Sequence, residues 1–456
     1  MKNAKVLYWS FTVALGGFLF GFDTAVISGA EQSIQKIWGL SNAMIGQTVA
    51  VALYGTVIGA LFGGLPAERF GRKKSLFWIG LLYLVSAAGS ALAPDVYSLM
   101  FFRFIGGLGV GASSVVAPMY ISEIAPASQR GRLVAMFQFN IVLGIMIAYC
   151  SNWLIGGEAA NSWRIMLGVE TIPAAAFVLM VLGVPRSPRW LIVRRGAEAE
   201  AHGVLQQIDP ATAEEQMRSI QQSHNASSGG SFREFVSGRY RFPILLAFLF
   251  ALFNQVSGIN AVIYYAPRIF GAAGMAESAS LLASVGIGTI NLIFTLIGMA
   301  LIDHFGRRKL MYIGSFGYII SLSAVAYAFY AGLSGYVVPF WLFVFIASHA
   351  IGQGAVIWVF ISEIFPNDVR SYGNALGSST HWVFAALIAG TFPLLNAMMA
   401  PYLIFGLFAV LMVFQLLFVV FLMPETKGVS LEGLQQQLME GRTASVSATD
   451  KKTAGL

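Results

Sequence analysis

The chain has 456 residues, of which 57% are hydrophobic and 11% charged, whereas a soluble domain runs to about 25% charged residues. That balance excludes a soluble enzyme or a soluble binding module. A formal charge of +7 invites a reading as a nucleic-acid binder, which the placement of the basic residues excludes, and the single cysteine, Cys150, excludes an internal disulfide or a cysteine metal cluster.

Apolar runs near the roughly 20 residues that a spanning helix needs predict twelve membrane helices. They cover about 7–29, 44–66, 75–93, 97–118, 132–155, 163–184, 242–270, 279–302, 310–332, 337–364, 371–397 and 401–423. The first follows Lys2 and Lys5 as a signal peptide would, yet it is too long, lacks a cleavage site and carries Asp23 in GFLFGFDTAVISG, so it is read as a retained helix. A charge at a bilayer's centre costs roughly 2.5–3.5 kcal/mol, so an acid kept there demands a use. ERFGRKK follows the second helix with Glu68, Arg69 and Arg72; the fourth holds Arg103 in FFRFIGGLGVG and leads into YISEIAP with Glu123. Arg130 opens the fifth, which contains Gln138, and Glu170 lies in the sixth.

The polar stretch 185–241 divides the chain. Its Glu/Gln/Ala-rich part, 196–222, predicts short amphipathic helices, and its Ser/Gly-rich part, 223–231, a flexible tether. The seventh helix carries Asn254, Gln255, Asn260 and Tyr264 in NQVSGINAVIYY, where Gly258 predicts a break beside a cavity. Asn291 lies in the eighth, Asp303, Arg307 and Arg308 in DHFGRRK, Gln353 and Trp358 in the tenth before Glu363 of FISEIFP, and Arg370, His381 and Trp382 at or within the eleventh.

An even number of spans puts both termini and the basic clusters on one side, with only Lys36, Arg164 and Arg268 opposite. That asymmetry predicts cytoplasmic termini. ERFGRKK recurs as DHFGRRK, YISEIAP as FISEIFP, and Pro185 as Pro424, all at nearly one offset. The repetition predicts an all-α fold of two pseudo-symmetric six-helix bundles, 1–184 and 242–423, joined by the 185–241 linker and followed by a tail, 424–456. Duplicated helical halves are the architecture of secondary transporters, whose substrate lies near the midplane between them.

On these duplicated motifs, with QVSGIN and PETKG, the chain resembles the sugar porter family of the major facilitator superfamily over nearly its whole length. The resemblance implies alternating access and sugar contacts at Gln138, Gln255, Asn260, Asn291, Trp358 and Trp382. It also implies that Asp23 and Glu170 stand where the family's symporters carry acids and its passive facilitators do not. Asn254 in place of the first Gln of the QQ motif, His381 where relatives have Gln or Asn, and Arg186 where they have Glu depart from the pattern.

The chemistry agrees. Neutral amides both donate and accept, which suits a polyhydroxylated solute, and indoles offer a flat apolar face with one donor. Asn254, Tyr264, Gln353 and His381 are therefore counted with the sugar set, His381 as a polar wall or a second protonatable group. A single amide is equally well explained as interhelical glue, worth about 0.6 kcal/mol. At the cytoplasmic rim, Glu68, Arg69, Arg72, Glu123, Arg130, Asp303, Arg307, Arg308, Glu363 and Arg370 are expected to pair as a latch that must break for that side to open, the alternative being headgroup anchors. Asp23, Arg103 and Glu170 form the expected proton-coupling set, since moving helices changes how tightly an acid beside a guanidinium holds its proton; the alternative is a static packing pair.

The expectation is thus a proton-coupled importer of a monosaccharide, hexose, pentose or cyclic polyol, with a passive uniporter as the alternative and a non-transporting sugar sensor behind it. No catalytic activity, cofactor, metal or nucleic-acid partner is implied. The expected partners are a sugar, a proton and the bilayer, and the expected setting is a monomer in a bacterial inner membrane.

Overall fold

A computed structural model describes residues 4–126, 129–156, 159–226, 231–366 and 368–428, together with Leu434 and Leu438. It is all-helical among these residues, with twelve helices long and apolar enough to cross a membrane. They are α1 (Ala4–Ile37), α2 (Asn42–Phe62), α3 (Arg72–Leu92), α4 (Val96–Ile124), α5 (Arg130–Ile155), α6 (Ser162–Leu182), α7 (Arg241–Ala272), α8 (Glu277–Phe305), α9 (Arg307–Tyr330), α10 (Val337–Glu363), α11 (Arg370–Met398) and α12 (Pro401–Phe421). Ser41 caps α2 by accepting from the Met44 amide, and Asp95 caps α4 by accepting from Tyr97 and Ser98. Hydrogen bonds from Ser98 and Tyr97 hold the Asp95 carboxyl below its ordinary range.

The helices agree with the expected spans except that α1 runs to Ile37, two turns past the hydropathy limit. Its extension carries Glu31 and Gln35, which find a partner on α7. Three helices are broken inside the membrane. α6 divides into Ser162–Gly168 and Thr171–Leu182 with Glu170 between them. α7 divides at Gly258, whose φ of 85° only glycine adopts cheaply. α10 contains a π turn at Ala350–Gly354, an irregularity common at functional positions.

Lipid tails are as apolar as leucine, so helices in a membrane associate through close backbone approach. The glycines of α4 supply it: a Cβ on Gly107 would sit 1.8 Å from the Ala52 carbonyl oxygen of α2. The first six helices meet the last six along α2 with α11, α5 with α8 and α1 with α7. The linker runs over one end, hereafter the connector end, where Glu198–Ile208 buries Ala201, Val204, Leu205 and Ile208 on one helical face. Of the Ser/Gly tether, residues 227–230, and most of the tail from 429, lie outside the described residues.

Candidate functional site

Three buried ionisable groups meet within the first six helices. Asp23 of α1, Arg103 of α4 and Glu170 at the α6 break are 5%, 1% and 2% exposed. Arg103 Nη1 stands 3.5 Å from Asp23 Oδ1, a loose contact where charge-assisted bonds close to about 2.7–2.9 Å. Among the described residues, Arg103 Nε and Nη2 and Glu170 Oε1 have no hydrogen-bond partner. Tyr83 of α3 is buried beside both acids and was not singled out by the sequence.

The uncharged polar groups gather in the last six helices, where the Gly258 break turns the amides of α7 inward. Asn260 Nδ2 donates to Gln255 Oε1 at 2.6 Å, and Gln255 Nε2 donates to Asn254 Oδ1 at 2.8 Å and lies 3.2 Å from the His381 ring nitrogens. His381 sits between the rings of Trp358 and Trp382, at 5.0 and 4.7 Å. Trp382 packs on Phe20 of α1 at 5.5 Å, joining the two halves. Across the interface, Gln138 of α5 is half-buried and has no hydrogen-bond partner among the described residues. Asn291 uses only its oxygen, accepting from Thr295 at 3.4 Å. The groups left uncommitted are amides, which can bind a hydroxylated solute from both sides.

Three of the expected sugar contacts are placed elsewhere. Gln353 is 0% exposed; it accepts from Asn254 and donates to Gln415, which donates to Ser315, at 3.2, 2.8 and 2.9 Å. Gln353 lies in the π turn of α10, and both ends of its amide are taken up by this buried chain. Asn254, 2% exposed, has both ends of its amide taken and belongs to the same buried chain. Tyr264 is buried toward Thr24 and Asp23 instead of the amides. Gln415, missed in the sequence, completes the chain.

The charges of the connector rim pair inside each half. Arg72 binds Glu123 at 2.8 Å, and Arg307 binds Glu363 at 2.7 Å and Asp303 at 3.4 Å. Glu68 reaches Arg194 of the linker, Arg308 donates to the Val419 and Val420 carbonyls, and Arg370 to that of Phe365. Arg69 lies over the Phe70 ring, and Arg130 is exposed. The ion pair that does join the halves is at the opposite, far end: Arg268 of α7 donates to both oxygens of Glu31 at 2.9 and 2.5 Å and to Gln35 at 2.6 Å. With the halves drawn together there, the rim charges are left with partners of their own half.

Residues 9–438 match the family model described as "Sugar (and other) transporter". The chain belongs to that family. It is a multi-pass transporter and not an enzyme. The chain is similar to the D-xylose-proton symporter of Escherichia coli (strain K12), at 36% identity over 98% of each chain. Among solved structures, it resembles the partially occluded inward-open conformation of the xylose transporter XylE from E. coli, with a TM-score of 0.84 at 34% identity over 94% of this chain and 100% of that one. The same XylE bound to 6-bromo-6-deoxy-D-glucose gives 0.77 at 34% identity, over 95% of this chain and 99% of that one.

Proposed function

We propose that this chain imports a monosaccharide together with a proton by alternating access, with the connector end and both termini at the cytoplasm, as the Lys/Arg asymmetry indicates. The observation that carries the coupling is the contrast between its two buried ion pairs. Arg268–Glu31 is short, two-pronged and supported by Gln35. Arg103–Asp23 is single and loose, and leaves buried donors and an acceptor unmatched. A pair kept only for packing would satisfy those atoms, because an unsatisfied buried charge is strongly destabilising. Two acids beside one guanidinium also carry one net negative charge when both are ionised, and one proton neutralises the set. Asp23 accepts it and releases Arg103; discharge to the cytoplasm lets the pair re-form.

The sugar lies among Gln138, Gln255, Asn260 and Asn291, with Trp358, Trp382 and His381 as its aromatic wall. The bound far end and the greater likeness to the inward-open form of XylE support a state open toward the cytoplasm. In the opposite state the rim charges of the two halves meet. The likeness to a D-xylose-proton symporter and to XylE bound to 6-bromo-6-deoxy-D-glucose supports pentoses and hexoses alike as cargo.

Uptake of labelled pentoses and hexoses by proteoliposomes holding the purified protein tests this reading. Accumulation above the outside concentration under an inward proton gradient is expected, falling to simple equilibration when a protonophore is added. Equilibration alone under both conditions would make the protein a uniporter, and uptake of none of these sugars would remove the cargo assignment.

A further inference from the structure

The two halves differ in charge at one position of their repeated connector-end motif, beside a Ser-for-Thr exchange that keeps the hydroxyl. Pro185-Arg186-Ser187 of the first half stands where Pro424-Glu425-Thr426 stands in the second. The equivalence is structural: Ser187 donates to Glu123 at 2.5 Å, and Thr426 donates to Glu363 at 2.5 Å. In the second half, Glu425 accepts from the backbone amides of Arg307 and Arg308, at 2.9 and 3.0 Å, which places a carboxylate on the start of α9. In the first half, Arg186 turns to Glu200 at 3.4 Å, with both side chains about half exposed. Among the described residues, no side chain accepts from the amides of Arg72 and Lys73 at the start of α3. The indole of Trp190 lies over Gly71 where the Glu425 carboxylate lies over Gly306.

Beside that indole is a cavity of about 430 Å³. Arg72, Lys73, Lys74, Arg186 and Arg195 line it, and no acid does. Arg72 is balanced by Glu123 from outside the cavity; Lys73 donates to the Leu182 carbonyl and shares the single acid Glu200 with Arg186, and Arg195 stacks on Trp190. At the rim of the second half a recess is lined by two acids, Asp303 and Glu363, beside Arg307 and Lys427, so its charges balance within it. The remaining wall comes from the membrane-facing surfaces of α3 and α6, where Trp78 and Leu182 are 64% and 56% exposed.

We infer that this cavity binds the phosphate of an anionic phospholipid of the connector-end leaflet, beside the indole that fills the place where the second half holds its own carboxylate. A phosphodiester brings one negative charge and several acceptor oxygens to the cations and the free amides of α3, and the apolar wall receives the start of its acyl chains. Basic recesses between membrane helices on this side are suited to such headgroups. The site lies outside the sugar path, so the inference does not depend on the transported cargo.

The full-length protein in nanodiscs of phosphatidylcholine doped with phosphatidylglycerol, released into native mass spectrometry, reads the retained lipid directly. Wild type is expected to retain phosphatidylglycerol over phosphatidylcholine, and Arg186→Glu, which copies the second half, to lose that preference by about tenfold. Should Arg186→Glu not fold, Arg195→Gln with Lys74→Gln is expected to weaken retention in the same direction. Equal retention of both lipids by wild type, or undiminished retention of phosphatidylglycerol by these variants, would overturn the site. Displacement of the lipid by inorganic phosphate alone would assign the cavity to a soluble anion and overturn the lipid as its source.

Discussion

The first six helices bury a cluster of three ionisable groups inside the membrane, and the last six bury a connected chain of amides. Asp23, Arg103 and Glu170 are buried in the first half, while Asn254, Gln255, Asn260, Asn291, Gln353 and Gln415 are buried in the second. Both halves nevertheless repeat the same rim motifs and the same glycine-led entry into α3 and α9. On the proposed function, one scaffold is furnished twice, chiefly for an ion in one half and for a neutral solute in the other. The division has a physical basis: a charged group beside the sugar would compete with its hydroxyls for the same amides, and an amide beside the acids would satisfy the atoms that must stay unmatched. On that proposal, ion and sugar can communicate where the halves touch, as at Phe20 against Trp382 and at Tyr264 against the Asp23 region.

Removing the charge from the first half is the strongest way to break this comparison. Asp23→Asn keeps the shape and deletes the exchangeable proton, so accumulation against a gradient is expected to vanish while sugar counterflow between equilibrated compartments persists. A membrane potential supplies about 2.3 kcal/mol per 100 mV for each proton charge, corresponding to roughly fiftyfold concentration of a neutral solute. Counterflow and uphill uptake measured on the same proteoliposomes separate the two. Loss of both would place Asp23 in the sugar site or the fold, and retention of both would take it out of coupling.

The next largest effect concerns the pair that joins the halves. Glu31 is 0% exposed, and Arg268 keeps 15% of its side chain open. Deleting one partner of a buried pair costs about 3–5 kcal/mol, and the partial exposure of Arg268 puts Glu31→Ala at or below the lower end. The closed far end is then expected to lose on the order of a hundredfold in relative population. Hydrogen–deuterium exchange in the far-end turns of α1 and α7 should accelerate, and the charge-swapped variant Glu31→Arg with Arg268→Glu should restore part of the protection. Unchanged exchange in Glu31→Ala would leave the pair without a part in closing that end.

Hydropathy made the spans legible because a helix must present some twenty apolar residues to lipid. Asp23, Arg103 and Glu170 stood out for the same reason, as costly interruptions of such runs. The far-end pair was not legible: Glu31 lies past the apolar window, on the extension of α1 that pairs with Arg268 of α7. Repetition of the rim motifs supplied the charges there but not the choice between pairing within and across halves, which depends on the state of the transporter. Gln353 is counted with the sugar set for its amide alone, and residue type does not distinguish an amide that faces a solute from one taken up by a buried partner such as Gln415. For Gln415 a signal did exist, a lone amide in the most apolar of the twelve spans.

That amide offers the finest test of how the second half works. Asn260, Gln255, Asn254, Gln353, Gln415 and Ser315 form a buried chain in which each side chain donates to the next. Gln415→Leu leaves the amide nitrogen of Gln353 and the Ser315 hydroxyl unpaired, and an unsatisfied buried group costs about 1–3 kcal/mol. Part of that cost is expected to reach the sugar by letting Asn254 and Gln255 reorient, raising KM by about fivefold, the equivalent of 1 kcal/mol, with maximal uptake rate nearly kept. Replacing Gln353 and Gln415 together by leucine removes both partners of their hydrogen bond, and its effect should be smaller than the sum of the singles. If Gln415→Leu lowers the maximal rate and leaves KM alone, the chain is packing for the second half and has no part in aiming its amides.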